Sequence, residues 1–347
     1  MPLFGRSRNP LAVDLGSGQI KVISIEPGDP PRLAALGIEP LEPDTIVGGE
    51  VMDYHLVVDI LRGLRERTGI GEGPAATAVS GRDVIVKRIK MDRMREQEAR
   101  QVIRWEAEQH VPFDMESVSL DFEILDPGAE GLQMEVLLVA AKRDLIETRV
   151  RLLDEAGFEV DVIDVDGFAI QTAFERSYEH APYGTFCLVN VGRETTNLNL
   201  VDDGRPILTR DLPVGERRFA EALVRELGVT SEEAESRLRG REDGLEDAER
   251  KALAEPIESL VTPVERARAF IATSEVGGQL DEIVLSGGGA RLPGLRETVA
   301  ERLETEVTVL DPLRRVEVSA VDRQTIREHG GPEVFGVAMG LGLREAE

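Results

Sequence analysis

The chain has 347 residues, 66 acidic side chains against 41 Lys and Arg, and a formal net charge of −25. With no basic stripe to neutralise phosphates, the charge argues against nucleic acid and against direct docking on an anionic membrane surface. Apolar residues make up 41% of the chain, which excludes a disordered class, and the length favours two lobes over one minimal domain.

The first ten residues, MPLFGRSRNP, contain no long apolar segment, so neither a signal peptide nor a membrane span is expected there. The first periodic stretch is VDLGSGQIKVISIE at 13–26. It reads as a strand at 11–15, a Gly-Ser-Gly turn at 16–18, and an alternating strand at 20–26. A helix is expected at 53–68, then strands at 76–80 and 84–90 and a helix at 95–109. Strands at 118–125 and 134–141 follow, joined by the turn-rich DPGAEG. A helix at 143–156, a strand at 159–165 and a helix at 167–178 complete the first half. The second half gives strands at 186–191, 196–201 and 206–211, then helices at 216–227, 231–239 and 245–273. Thr230 or Ser231 with Glu233 reads as a capping box for the second of these helices. A strand at 283–286, a helix at 293–304 opened by Pro293, a strand at 306–309 and a helix at 333–344 end the chain. The single cysteine, Cys187, lies in the apolar run TFCLVNV, which suits a reducing compartment and rules out a disulfide framework. The mixture of strands and helices implies an α/β class.

The opening pattern recurs. VDLGSGQIKVISIEPGD at 13–29 is echoed by VNVGRETTNLNLVDDGR at 189–205, half a chain later. Each copy has a polar residue two before a glycine, a polar turn and an alternating strand. A hairpin turn alone gives no reason for the same flanks to recur. Two related lobes, each offering one turn to a shared cleft, explain the echo. On this reading residues 1–80 and 158–185 form the first lobe and 81–157 an inserted subdomain of βαββα order. Residues 186–212 and 273–347 form the second lobe, with 213–272 as its helical insert.

A phosphate needs backbone N–H groups that can approach closely, and glycine allows that approach. Gly16, Ser17 and Gly18 fit such a turn. Asp14 at the strand end could hold magnesium, and Lys21 could reach a phosphate. The second turn offers Gly192 and the hydroxyls of Thr195 and Thr196; its acidic position is the amide Asn190. A third element, SGGGARLPGL at 286–295, places Gly287, Gly288 and Gly289 between a strand and a helix, a side-chain-free floor suited to a purine.

Together these elements resemble the actin-like two-lobe ATPase fold shared by actin, heat-shock chaperones, sugar kinases and FtsA. Within it, IRWEAEQHVPFDMESVSLDFEIL (103–125), MEVLLVAAKRDLIETRVRLLDEAGFEVDVIDVDGFAIQTAFE (134–175) and LTRDLPVGERRFAEAL (208–223) resemble the PilM family of type IV pilus assembly proteins. The resemblance implies ATP and Mg2+ in the cleft, with Asp14 on the magnesium side. It implies phosphate contacts from Gly16, Ser17, Gly18, Lys21, Gly192, Thr195 and Thr196, and adenosine contacts from Gly287, Gly288 and Gly289. Glu235, in AESRLR at 234–239, falls where the family has a ribose-contacting glutamate. Gln171 falls where actin places a water-orienting glutamine, although a polar residue on such a helix is also a common packing residue. The implied partner is the N-terminal tail of a PilN-like single-span membrane protein, held in a groove between first lobe and insert. Pilus motor or platform proteins are further implied partners. The implied location is cytoplasmic, peripheral to the inner membrane through that partner.

Asn190 replaces the family's common aspartate, which implies ATP binding with weak or absent hydrolysis. Gly336, Ala338 and Gly340 would let two lobe-connecting helices cross closely. Trp105 and Phe113 are equally readable as a peptide groove or as insert core. Two other functions fit the same fold: an FtsA-like membrane-associated filament protein, for which no trailing amphipathic anchor is seen, and a sugar- or acetate-kinase-type phosphotransferase.

Overall fold

A computed structural model describes residues 10–71, 73–126, 128, 131–181, 183–239, 245–273 and 278–344. Residues 1–9, within the expected first lobe, and part of the expected DPGAEG turn lie outside the described residues.

The first half opens with the antiparallel strands β1 (Leu11–Leu15) and β2 (Gln19–Glu26), followed by β3 (Arg32–Pro40). A short hairpin, β4 (Ile46–Val47) and β5 (Glu50–Val51), leads to α1 (Tyr54–Thr68) and β6 (Pro74–Val79). Next come β7 (Val84–Asp92), α2 (Glu96–Glu108), β8 (Val118–Ile124), β9 (Gln133–Lys142) and α3 (Arg143–Glu155). β10 (Glu159–Val165) and α4 (Asp166–Ser177) close this half. The second half runs β11 (Thr185–Val191), β12 (Thr196–Asp202), β13 (Arg205–Leu212), α5 (Glu216–Leu227), α6 (Ser231–Leu238) and α7 (Asp247–Thr273). β14 (Glu282–Ser286), α8 (Leu295–Leu303), β15 (Glu306–Val309), α9 (Ala320–Glu328) and α10 (Gly336–Gly342) complete it.

The sequence echo is an echo of topology. The first sheet has the order β10-β6-β1-β2-β3 and the second β13-β12-β11-β14-β15. In each, an opening strand pairs antiparallel with the next and parallel with a strand reached by a crossover. The fold is the actin-like two-lobe fold.

A third sheet, β7-β9-β8, is separate and carries α2 on one face. Its core joins Ile89, Met91, Ala99, Ile103, Val136 and Leu138. Phe113 packs against this core, whereas Trp105 is 71% exposed on α2 and belongs to no core. α3 leaves this layer: its Leu152 and Leu153 pack with Val57, Val58, Leu61 and Leu64 of α1 over the first sheet. Of the five elements expected in the insert, four therefore share the small core and the fifth joins the first-sheet core.

Between the large sheets lie α4 and α10. Their Ala169, Ile170, Ala173 and Ala338 share one core with Ile23 of the first sheet and Leu188 and Val284 of the second. The expected close crossing is present. A Cβ on Gly340 would lie 1.7 Å from the Ala169 carbonyl oxygen, and one on Gly336 2.6 Å from Ile170 Cδ1.

Several expectations are corrected in detail. The sequence reading missed β3, an edge strand rich in alanine with irregular burial. It also missed α9, which buries only Ile326 and so shows no apolar period, although Ser319 caps it by accepting from the Asp322 N–H. α8 starts at Leu295 rather than Pro293, after a 3-10 turn over Gly288–Arg291. The final helix is a 3-10 turn, Pro332–Phe335, followed by α10. Among the described residues no helix is long and apolar enough to cross a membrane.

Candidate nucleotide site

The β1–β2 hairpin sets Asp14 directly opposite Lys21, a cross-strand pair of opposite charge. Lys21 Nζ lies 2.9 Å from Asp14 Oδ2, and each residue is only 7% exposed. Gly16 closes over this pair: a Cβ there would sit 3.1 Å from the Gln19 carbonyl oxygen, 3.7 Å from Asp14 Oδ1 and 3.9 Å from Lys21 Nζ. Ser17 is half-buried at the turn, and the Gly18 carbonyl accepts from Leu41 N–H. Asp14, Gly16, Ser17, Gly18 and Lys21 thus form one unit.

The second turn is pinned to the start of α5. Gly192 N–H donates to the Thr195 carbonyl at 2.9 Å, while the Gly192 and Arg193 carbonyls accept from Glu216 and Arg217 N–H at 3.0 Å each. Gly215 makes this possible, since a Cβ there would lie 2.4 Å from Gly192 O. The first two N–H groups of α5 are therefore already satisfied. Thr195 stays half-buried on the turn. Thr196 does not face the cleft: it is fully buried, and its hydroxyl donates to the Val214 carbonyl at 2.7 Å.

The third turn lies against the end of β11 and the start of α5. A Cβ on Gly287 would be 2.4 Å from Val191 O and 2.7 Å from Asn190 Oδ1; one on Gly289 would be 2.3 Å from Val191 Cγ1. Gly288 leaves room for the Glu216 carboxylate, whose Oε1 would be 2.1 Å from an added Cβ. Each glycine is thus required by close packing onto the end of β11 and α5, the two elements that flank the second turn, and that packing brings Gly287–Gly289 beside it.

Arg193 joins the lobes. Its Cβ and Cδ lie 3.4 Å from the position of a Gly18 Cβ, and its guanidinium reaches Glu235 Oε1 at 2.9 Å. Glu235 also accepts from Arg239 at 2.7 Å. The basic partner of Glu235 is therefore supplied by the second turn and by α6's own end.

The structure does not bring Gln171 to the turns. Its amide donates to Glu175 Oε1 and to the Gly204 carbonyl, each at 2.8 Å, and its oxygen accepts from Asn199. Gly204 lies past the end of β12 remote from the second turn, so Gln171 is tied to the far part of that strand. Asn190 is tied as well. Its amide donates to Asn197 Oδ1 at 2.7 Å, Asn197 donates to Asp211 Oδ1 at 2.7 Å, and Asp211 accepts from Gly81 N–H at the start of the small sheet.

Three carboxylates of the cleft carried no motif. Asp166, at the start of α4, is pushed up to about 7 by burial, with Asp14 and Asp211 adding to the rise and Ser80 and Arg149 opposing it. Asp211 and Glu216 are also raised, mainly by burial. For Asp166 a signal existed: it follows β10, whose neighbour β6 runs parallel to it, and ligand sites collect at the carboxyl ends of parallel strands. Among the described residues, no three His, Cys, Asp or Glu side chains are grouped to hold a metal ion. Cys187 is buried, and burial pushes its thiol up to about 12.

Comparison with known proteins agrees with this architecture. A solved PilM-PilN type IV pilus biogenesis complex contains a chain 27% identical, with a TM-score of 0.85, covering 98% of this chain and 99% of that one. The ethanolamine utilization protein EutJ from Carboxydothermus hydrogenoformans shares the fold at 18% identity and a TM-score of 0.59, covering 99% and 91%. MreB 5 of Spiroplasma citri, solved bound to AMPPNP, does so at 11% identity and a TM-score of 0.56, covering 97% and 95%. The model of the type IV pilus assembly protein PilM matches residues 12–346. With two duplicated sheets, a separate small sheet and a match over almost its whole length, the chain belongs to the PilM family of type IV pilus assembly proteins.

Proposed function

We propose that the cleft binds ATP and that the chain is an adaptor of pilus assembly that holds ATP far better than it cuts it. One observation carries this: three glycine-bearing turns converge, with Lys21 and Arg193 bringing positive charge and Glu216 and Glu235 bringing carboxylates. The amides of Gly16, Ser17 and Gly18, the Lys21 ammonium and the Thr195 hydroxyl would hold the phosphates, while Gly192 shapes the second turn through its own N–H bond to the Thr195 carbonyl. Gly287, Gly288, Gly289 and Glu235 would take the adenosine side. Asp14 is the carboxylate on the magnesium side, and a single carboxylate suits a cation carried mainly by the nucleotide's own phosphates.

Bound ATP supplies a phosphoanhydride whose hydrolysis needs an oriented water and a proton acceptor. Asn190 is a neutral amide already bonded to Asn197, and Gln171 is engaged elsewhere. Neither of these two positions can orient or deprotonate water where it stands, which supports slow turnover; Asp166, Asp211 and Glu216 are the carboxylates of the cleft that remain as proton acceptors.

The adaptor's partner is the N-terminal tail of a PilN-like single-span membrane protein, bound between first lobe and small sheet; this keeps the chain on the cytoplasmic side of the inner membrane. The match to a chain solved in a PilM-PilN complex supports the partner. For the place, the β4–β5 hairpin packs on the link into β7: a Cβ on Gly49 would lie 2.6 Å from Ser80 O. Val47 of that hairpin and Met52 and Leu56 just after it are exposed, apolar anchors for an extended peptide.

The test is a calorimetric titration of ATP–Mg and of the tail peptide, with phosphate release followed in parallel. Tight ATP binding, peptide binding and near-background release are expected; rapid release without any partner would overturn the adaptor reading. Asp14→Ala and Asp14→Asn should both weaken ATP–Mg binding, and unchanged affinity in both would remove Asp14 from the site.

A further inference from the structure

Arg193 belongs to the second turn, yet its side chain lies along the first. Its stem touches the Gly18 position at 3.4 Å, and its guanidinium ends on Glu235 at 2.9 Å. The pair is partly sheltered, with side-chain exposures of 20% and 31%. Its charge is felt by Glu216, whose carboxyl it lowers against the effect of burial. Glu235 has a second cation in Arg239, so it stays paired if Arg193 departs. The guanidinium thus spans the space between the first turn, α6 and the start of α5, and its present partner can release it without being left uncompensated.

We infer that Arg193 is a ligand for the phosphate chain of a nucleoside di- or triphosphate, and that Glu235 holds it back until phosphate competes for it. This rests on the ATP reading above. Guanidinium matches phosphate with two parallel N–H donors, a stronger pairing than with one carboxylate oxygen. On binding, Arg193 swings from Glu235 to phosphate oxygens, and Glu235, still charge-matched by Arg239, turns to the ribose hydroxyls. The pair therefore acts as a strap that nucleotide opens on entry.

The experiment measures dissociation constants of adenosine, ADP, ATP and inorganic tripolyphosphate for the full chain and for Arg193→Ala, Arg193→Lys and Glu235→Gln, with melting curves to verify folding. The wild type should favour ATP and ADP over adenosine. In Arg193→Ala that preference should fall roughly tenfold or more with adenosine affinity unchanged, and Arg193→Lys should restore part of it. Glu235→Gln should tighten tripolyphosphate several-fold, because the strap is released. An unchanged phosphate preference in Arg193→Ala, or unchanged tripolyphosphate binding in Glu235→Gln, overturns the assignment. Failure of the wild type to bind any nucleotide overturns instead the ATP reading on which it rests.

Discussion

Asp166 is the residue with the most pH-sensitive consequence. Burial, Asp14 and Asp211 hold its carboxyl up at about 7 in the folded chain, against 3.8 for an unperturbed aspartate. The folded state therefore binds more protons than the unfolded state between those values, and stability falls as pH rises through that window, levelling above it. Arg149 and Ser80 offset part of the effect. Asp166→Asn should thus stabilise the fold by about 1–2 kcal/mol at pH 8, since each tenfold change in proton affinity on folding is worth roughly 1.4 kcal/mol and the amide recovers only a share of it. The gain should shrink toward pH 4; denaturant midpoints across a pH series check it, and a gain independent of pH contradicts it. At this scale a motif concentrates the signal at Asp14, Gly16 and Lys21, which the structure gathers on one hairpin. Asp211 and Glu216 were silent because isolated carboxylates meet only after strands cross over, and Asp166 was marked only by its place after a parallel strand. Thr196 misled, although strand alternation sets it on the face of Leu198 and Leu200, both buried in the second-lobe core.

At the scale of elements, the contact of α4 with α10 is the tightest constraint. Gly340→Ala sets a methyl 1.7 Å from the Ala169 carbonyl oxygen, so the helices must separate. Overpacking of this kind costs about 1–3 kcal/mol or more, and a lowered melting temperature with retained secondary structure is expected. Gly69→Ala serves as a control, because nothing lies within 4 Å of an added Cβ there; its left-handed φ of 66° leaves only backbone strain. The small residues of the last helix made this crossing legible in advance. β3 and α9 were not legible, since an edge strand and a helix burying one residue impose little periodicity. The destination of α3 was hidden for another reason. Its apolar period announces a buried face, but only the fold decides that α1, rather than the small sheet, receives it.

At the scale of the whole molecule, duplication was readable from the paired turns because both lobes reuse one topology around one cleft. The bridges across that cleft were not readable, because their partners lie far apart along the chain. Arg217 of α5 bonds Asp44 of the first half at 2.6 Å, as well as Glu194 and Glu221. Asp44 holds a left-handed backbone with φ of 64°, a conformation that Asp and Asn tolerate. Asp44→Asn keeps that backbone and removes the charge. Because the Asp44 side chain is 66% exposed, stability should change by less than about 1 kcal/mol. Nucleotide release should quicken, an effect that vanishes at high salt; stopped-flow displacement of a fluorescent ATP analogue measures it, and an unchanged release rate at low salt contradicts the bridge's role.

The central claim is a cleft built to hold ATP intact. It is tested most directly by incubating the purified chain with ATP–Mg, removing free nucleotide by gel filtration, and identifying what remains bound after hours. The account predicts ATP, uncleaved and close to stoichiometric with protein. Recovery of ADP, or of no nucleotide at all, would contradict it.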